Sequence, residues 1–428
     1  MLKSKIRLKV ILISILCSIS STLSAEETYI VDGIVYRIVT NPYDNNKDGL
    51  EVVSITNDAP VNELVNSYSL YIPEEVKLHN GTTYKVCGTA SNILENFTPQ
   101  KTTHISFAWK NFSYIGDYAF YWLKNKVKIQ VDLPPQCKKV GDFAFAYSPN
   151  VSPRGISRLT SIGEKAFAYT NFGSWGISLS DDLEIMGGWN IEEGLYGRPA
   201  FQGAKITRFD STLKHPFLKV YDQDLYNKNL TTLVFVPSGK SSWTPPETLK
   251  TIGQEAFCGN YALEQITVPA SVSKIGRLAF ADCTALKYIV FAERNENDDV
   301  LTINSEAFQH SNSNEAFESK DAFVYIKLMN WMPEKYNMDP DALSPEQYKN
   351  ITLRVPKGYK KSAQVTYPWS RFNRITEFAP ESGIETIITD ESDSSVHYYN
   401  LQGIEVNTPA KGQLLIRLQG NKRTKIIY

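Results

Sequence analysis

The sequence predicts a repeat solenoid in which parallel strands stack from one repeat to the next, with β-rich ends. First, the pattern P-x-x-V-x-x-I-G-x-x-A-F of Pro269–Phe280 recurs with related apolar residues at Pro246–Phe257 and Pro134–Phe145. Second, four of the six intervals between successive Ala-Phe pairs are 22 to 28 residues, a period typical of solenoids. The phenylalanines of these pairs are Phe120, Phe145, Phe167, Phe201, Phe257, Phe280 and Phe308. Third, strand patterns such as Leu263–Val268 precede the proline, and strands joined by connections too long for hairpins stack in parallel.

Residues 1–25 are typical of a secretory signal peptide. Basic residues precede the apolar run Val10–Ile19, and small residues follow it up to Ala25. Lipidation of Cys17 is the alternative, although Leu16 stands where a lipobox requires a small residue. No other run approaches the roughly 20 apolar residues of a membrane helix. The mature chain is therefore predicted to be secreted or attached to the cell surface, without a transmembrane helix.

Residues 26–83 are predicted to form a β-rich N-terminal cap. Tyr29–Val39 alternates around an Asp-Gly pair as a hairpin does, and Glu51–Thr56 has the pattern of a further strand. Asp44–Gly49 begins like a calcium loop, but the twelfth position is Ile55 instead of glutamate. An ordinary Asn/Asp/Gly turn is the preferred interpretation. A solenoid needs a terminal unit of this kind to cover its open apolar face.

Residues 84–330 are predicted to hold the repeats. The apolar residues of each strand are expected to point into the coil, and the repeated phenylalanines are expected to stack as a ladder. The glycine after the repeated Ile or Val, such as Gly276, is predicted to occupy a turn with positive φ. Asn304 takes its place in the last unit, and asparagine is the next residue type to tolerate that conformation.

The cysteines are predicted to be mostly structural. Cys137 occupies the slot that is Val272 in a sister repeat, so a buried free thiol is expected there. An exported compartment permits disulfides, and a bond between Cys258 and Cys283 is the alternative for that pair.

Two insertions interrupt the array. The step from Gly187 to Ala200 is longer than in other repeats and contains Trp189 and Tyr196. Further along, an added hairpin is predicted within residues 217–237. Insertions in solenoids form loops on one face, often the binding face, and tolerated loop decoration is the alternative.

The last third of the chain is predicted to close the array. Residues 331–378 are assigned to a C-terminal cap with an insertion, including a helical segment at Lys360–Thr366. Residues 379–383 are assigned to a linker, and residues 384–428 to a small β-rich module.

These motifs resemble a known family. The I-G-x-x-A-F units and their L-x-x-I-x-V-P strands resemble the BspA-type leucine-rich repeat family of secreted and surface proteins of Bacteroidetes, over residues 84 to 378. The resemblance implies a parallel-sheet leucine-rich repeat array with short helical turns. The tail, with Tyr399–Gly403 and Lys411-Gly412, resembles C-terminal modules of exported Bacteroidetes proteins. The family resemblance also implies adhesin-like binding to a protein or glycan on a host or bacterial surface, with no catalytic residues to carry over.

Outward-facing strand positions are the predicted ligand-binding residues. If Ile266 and Val268 face inward, the alternate residues form two exposed stripes, roughly 35 Å long over seven or eight coils. The candidates on the stripes and in the first insertion are Gln265, Thr267, Asp132, Phe235, Tyr288, Trp189 and Tyr196. The alternative functions are a carbohydrate-binding accessory protein, which would use exposed aromatics such as Trp175, and a structural surface or assembly component.

Charge and motif content argue against several other classes. The formal net charge is −1, which disfavours binding to a phosphate backbone. The five histidines lack the usual zinc spacings, and the chain has no phosphate-binding loop or serine-hydrolase motif. The sequence therefore predicts a non-enzymatic protein with no cofactor, no metal and no nucleic-acid partner, and leaves the oligomeric state open.

Overall fold

The computed structural model describes residues 27–41, 44–63, 67–98, 101–107, 110–123, 128–173, 176–187, 189–192, 200–308, 325–379, 396–399, 406, 414–419 and 422–427. The strands of the first half are β1 Thr28–Val31, β2 Ile34–Asn41, β3 Lys47–Ile55, β4 Val61–Glu63, β5 Ser67–Ile72, β6 Glu75–Lys77, β7 Thr83–Thr89, β8 Thr102–Phe107, β9 Tyr114–Ile115, β10 Ile129–Asp132, β11 Lys139–Val140, β12 Val151–Arg154, β13 Ser161–Ile162, β14 Ile185–Met186 and β15 Trp189–Asn190. The strands of the second half are β16 Leu218–Tyr221, β17 Asp224–Asn227, β18 Thr232–Phe235, β19 Thr251–Ile252, β20 Gln265–Val268, β21 Lys274–Ile275, β22 Tyr288–Phe291, β23 Leu301–Ile303, β24 Tyr325–Leu328, β25 Tyr336–Met338, β26 Thr352–Pro356, β27 Arg374–Phe378, β28 Val396–Tyr399, β29 Leu414–Gln419 and β30 Lys422–Ile427. The helices are α1 Pro345–Asn350 and α2 Lys360–Ala363, with 3-10 turns at Ile156–Arg158, Pro333–Lys335 and Trp369–Arg371.

Each regular repeat contributes one longer and one shorter strand, so each half of the array has one broad and one narrow sheet in which the strands of successive repeats pair in parallel. The longer strands form a first broad sheet, ordered β12-β10-β8-β5-β4, and a second broad sheet, ordered β20-β22-β24-β26-β27. All neighbours in the second broad sheet are parallel, as predicted. The shorter strands form a first narrow sheet that includes β7, β9, β11, β13 and β14, and a second narrow sheet that includes β18, β19, β21, β23 and β25.

The N-terminal end of the array carries antiparallel strands. The predicted hairpin is β1 paired with β2, and its turn holds Asp32 and Gly33 at φ 49° and 68°. The calcium-like segment is a turn between β2 and β3, with Asn45 and Asn46 at φ 51° and 54°. Strand β3 then pairs in parallel with β7, which joins these strands to the first narrow sheet.

The Ala-Phe pair forms the corner that links one coil to the next. The backbone N–H of Phe257 donates to the carbonyl oxygen of Ala279 at 2.8 Å, and that of Phe280 donates to Ala307 at 2.9 Å. These alanines are fully buried, so a larger side chain would separate the coils. The same bond joins Phe167 to Ala200 at 2.8 Å, so the chain returns to register after the long insertion.

The predicted phenylalanine ladder is present in two runs. Stacked rings with centroids 4.8 to 5.5 Å apart join Phe120, Phe145, Phe167 and Phe201 in the first run. Phe257, Phe280 and Phe308 form the second run, at 5.0 and 5.4 Å. These side chains are buried, so the ladder forms a large part of the core.

The prediction of positive φ at the repeated glycine is wrong for Gly276, although Gly187 of the degenerate unit has φ 65°. The φ angle of Gly276 is not positive. The left-handed residue of this turn is Leu278, two positions later, at φ 54°. Instead, the glycine allows two coils to approach: a Cβ built on Gly276 would lie 2.5 Å from the backbone nitrogen of Gln254. Close backbone approach, not turn geometry, therefore accounts for glycine at this position.

We expect Gly276→Ala to destabilise the array by roughly 1–3 kcal/mol, because the added Cβ would push the neighbouring coil apart. Chemical denaturation of the purified chain measures this change. Asn304→Ala is the matched control, since Asn304 already places a Cβ at the equivalent position of its own coil. An unchanged unfolding midpoint for Gly276→Ala would contradict the role assigned to the close approach.

The sequence pattern did not predict the coil that contains Met338 and Ala342. Met338 pairs with Ile303, and the N–H of Phe308 donates to the carbonyl oxygen of Ala342 at 3.0 Å. Ala342 and Leu343 therefore occupy the places of alanine and phenylalanine, although Asp339 replaces the glycine. The array therefore continues for a further coil beyond Phe308, and the motif of that coil is degenerate.

The cysteines of the described residues are buried free thiols, Cys137 among them as predicted. Cys258 and Cys283 do not form the alternative disulfide, and the Cys283 thiol donates instead to the carbonyl oxygen of Phe257 at 3.1 Å. Burial raises the pKa of Cys137 to about 12. A thiol that stays protonated is a poor nucleophile, which fits a packing role.

The C-terminal strands form a three-stranded antiparallel sheet, ordered β28-β29-β30. Helix α2 lies within the predicted helical segment at residues 360 to 366. The predicted signal peptide lies outside the described residues, as does most of the predicted linker. Among the residues that the structure describes, no helix is long and apolar enough to cross a membrane.

Candidate binding surface

The outer face of the second broad sheet brings three of the predicted residues together. Gln265 and Thr267 are exposed on β20, while Ile266 and Val268 are buried, as the alternation predicts. Tyr288 lies beside Gln265 on the next strand, in direct register. The register continues from Tyr288 to Tyr325, so one row crosses the sheet.

Aromatic and cationic side chains dominate the far side of this face. The rings of Tyr288 and Tyr325 stack with centroids 4.6 Å apart. The guanidinium of Arg354 lies over the Tyr325 ring at 5.0 Å, and the ammonium of Lys327 lies over the Phe378 ring at 4.1 Å. Such cation–π contacts hold long side chains in place. Tyr288 and Tyr325 therefore form an ordered aromatic pair on this face with the Arg354 guanidinium beside it, whereas Lys327 and Phe378 are buried.

Phe235 does not belong to this face, and its predicted outward orientation is wrong. Its side chain is buried, with ring centroids 6.1 Å from both Phe201 and Phe209. The reason is that Leu233 pairs with Ile252, which puts β18 in the second narrow sheet, where β17 flanks it on the other side. The segment thus matches the shorter strand of the repeat and not the longer one.

The predicted continuous stripe of roughly 35 Å is also wrong. Asp132 is half-buried on β10 of the first broad sheet, which is a separate sheet from the one that carries Tyr288. Among the described residues, the coils between the two broad sheets are joined on this side of the array by isolated bridges, such as Asn171 with Lys205. Each broad sheet has five strands, so each face is only about 19 Å across.

The candidates in the first insertion are less fully described. Trp189 lies on β15, where it is the register partner of Met186 on β14. The side chain of Trp189 is not among those that the structure describes. Tyr196 and Trp175 lie outside the described residues altogether.

Sequence reasoning missed an aromatic cluster at the corners of the first coils. The rings of Tyr118 and Phe143 stack at 5.2 Å, and Tyr121 meets both edge-on. Trp122 and Tyr147 extend the cluster, with centroids 5.6 Å apart. The signal was available in the variable positions of the repeat, where aromatics stand just before the alanine and two residues after the phenylalanine.

The described residues contain no group of three or more histidine, cysteine, aspartate or glutamate side chains that could hold a metal ion. The arrangement of the described side chains instead offers extended faces for non-covalent contact.

A stack of coils with two parallel sheets and a buried phenylalanine ladder defines a leucine-rich repeat solenoid, the fold class that the sequence predicts. Residues 94–189 and 219–328 match the family described as BspA type Leucine rich repeat region, in six copies. The repeats of this chain therefore belong to the BspA-type leucine-rich repeat family. No curated protein matches the chain with significant similarity.

Solved structures of bacterial proteins resemble the chain. A leucine rich cell surface protein from Faecalibacterium prausnitzii is 18% identical, with 83% of this chain and 95% of that chain covered and a TM-score of 0.43. The pneumococcal vaccine antigen PcpA is 15% identical, with 83% and 99% covered and a TM-score of 0.42. A leucine-rich repeat protein from Bacteroides ovatus is 17% identical, with 82% and 99% covered and a TM-score of 0.34.

Proposed function

We propose that this chain is an exported, non-enzymatic protein that binds a macromolecular partner, as an adhesin does, on the outer face of the second broad sheet. The observation that carries the proposal is the stacked Tyr288 and Tyr325 pair on a parallel sheet, beside the exposed side chains of Gln265 and Thr267. Stacked repeats create extended surfaces suited to a partner protein. Tyrosine supplies large contact area together with a polar group, which is why it is frequent at binding hot spots.

We expect Tyr288→Ala to weaken binding to the protein partner by about tenfold or more, because a hot-spot aromatic contributes about 2 kcal/mol or more. The measurement is saturable binding of the purified chain to a panel of immobilised matrix proteins and glycans. Tyr71→Ala is the matched control, since Tyr71 is exposed on β5 of the first broad sheet.

The panel also distinguishes the other functions. Protein binding that Tyr288→Ala leaves intact, or that Tyr71→Ala weakens equally, contradicts the proposed face. Binding to glycans alone supports a carbohydrate-binding accessory protein, and self-association without any binding supports a structural component. Turnover of a substrate by the purified chain would overturn the non-enzymatic assignment.

A further inference from the structure

A cleft of about 620 Å³ opens on the outer face of the first broad sheet, away from the face assigned above. It forms where regular strand pairing ends: β12 is followed by Gly155 at φ 84° and a 3-10 turn at Ile156–Arg158. Beyond it, Ile177 makes only an isolated bridge to Phe209. The departing chain leaves space between successive coils. The volume lies within the range typical of small-ligand sites.

The walls of the cleft combine apolar surface with hydroxyl and amide groups. Ile156, Ile177 and Phe172 supply apolar surface, and both isoleucines are buried. The polar side chains that line it are Gln130, Asn150, Ser152, Ser157, Asn171 and Ser178. Hydroxyl and amide side chains both donate and accept hydrogen bonds, which suits a ligand rich in hydroxyl groups.

Several of these polar groups are held in place. Ser152 Oγ donates to the carbonyl oxygen of Asn171 at 2.9 Å, and Asn171 Oδ1 accepts from the N–H of Gly173 at the same distance. Ser178 Oγ donates to Asp210 Oδ2 at 3.0 Å. A hydrogen-bonded wall is pre-organised, so less side-chain entropy is lost when a ligand binds.

The charge of the lining is positive. Lys128 and Arg154 line the cleft, and none of the described residues that line it is an aspartate or a glutamate. Asp132 is the register partner of Arg154, but no ion pair joins them. Asp210 lies behind Ser178. Its carboxylate accepts hydrogen bonds from the backbone N–H of Thr212 and from Ser178 Oγ, and these bonds lower its pKa. An arginine fork matches a carboxylate in two parallel hydrogen bonds.

We propose that this cleft binds an oligosaccharide that carries carboxylate groups, with Arg154 and Lys128 on the carboxylate and the amide and hydroxyl side chains on the sugar hydroxyls. This site is separate from the proposed protein-binding face, and either can fail without the other.

Isothermal titration of the full chain with an oligomer of galacturonic acid tests the proposal, beside a neutral galactose oligomer of equal length. We expect saturable binding of the acidic oligomer and weaker binding of the neutral one. Arg154→Gln should lower affinity for the acidic oligomer by about tenfold or more, because a charge-assisted hydrogen bond is lost. Added salt should weaken binding for the same reason.

Two variants complete the design. Arg374→Gln removes an exposed arginine from β27 of the second broad sheet and should leave the affinity unchanged. Lys128→Gln should weaken binding of the acidic oligomer while leaving the neutral oligomer unaffected. Absence of binding, equal affinity for both oligomers, or equal losses in Arg154→Gln and Arg374→Gln would overturn the proposal.

Discussion

Phe280→Ala is expected to destabilise the array by roughly 3–5 kcal/mol, the cost of removing a large side chain from a packed core. The Phe280 side chain is 1% exposed. Its ring stacks between Phe257 and Phe308, with centroids 5.0 and 5.4 Å away. Truncation would remove both stacking contacts and leave a cavity between three successive coils. Thermal and chemical denaturation of the purified variant measure the loss.

Tyr71→Ala is the control for this experiment, because Tyr71 is 52% exposed and lies outside the ladder. We expect it to change the free energy of unfolding by no more than about 0.5 kcal/mol. A Phe280→Ala variant with the melting temperature of the unmodified chain would show that the ladder is not an important source of stability.

Lys240→Met is the second change with a large expected effect, because it would leave a buried carboxylate without its partner. Asp224 on β17 is 0% exposed, and Lys240 Nζ lies 2.9 Å from its Oδ2 atom. Methionine keeps much of the apolar stem of lysine but not the charge. Breaking a buried ion pair in this way costs about 3–5 kcal/mol.

The loss should depend on pH. Burial raises the pKa of Asp224 to about 7 although Lys240 pulls it down. An unfolded aspartate has a pKa of about 3.9, so the folded state binds the proton more tightly and this group's contribution to stability falls as the pH rises between these values. Removing Lys240 raises the folded pKa further. We therefore expect the cost of Lys240→Met to be largest at alkaline pH and to shrink as acid protonates Asp224.

Two variants isolate the cause of this effect. Asp222→Asn removes the more exposed partner of Lys240 and should cost less than about 1 kcal/mol. In an Asp224→Asn background no buried carboxylate is left to protonate, and only the more exposed Asp222 remains beside Lys240, so Lys240→Met should lose most of its pH dependence. Urea denaturation at several pH values gives these free energies. A Lys240→Met cost that does not vary with pH in the presence of Asp224 would contradict the mechanism.

Much of the candidate face was predictable from local pattern. Strand side chains alternate between the two faces of a sheet, so buried Ile266 and Val268 imply exposed Gln265 and Thr267. A constant repeat length then carries the same alternation to Tyr288 on the next strand. Tyr325 follows a segment without the motif, so its place beside Tyr288 required the register of β24.

Other parts of the surface depended on contacts that no local pattern contains. Phe235 resembles an outward strand residue, but the hairpin before it shifts the chain into the second narrow sheet. The cleft beside Arg154 arises where pairing after β12 lapses. The aromatic cluster around Tyr147 is formed by residues of successive coils, so it can be recognised only when their variable positions are compared.

The sequence by itself determined the repeat, its phase and the residues that stack inside it, because each coil repeats the same local steric and hydrophobic requirements. Tertiary structure alone decided where the broad sheet divides, which strands join which sheet, and why glycine stands at Gly276. Those features depend on the distance between neighbouring coils, and residues far apart in the chain set that distance. Gly276 illustrates this, because a Cβ built on it would lie only 2.5 Å from the backbone nitrogen of Gln254.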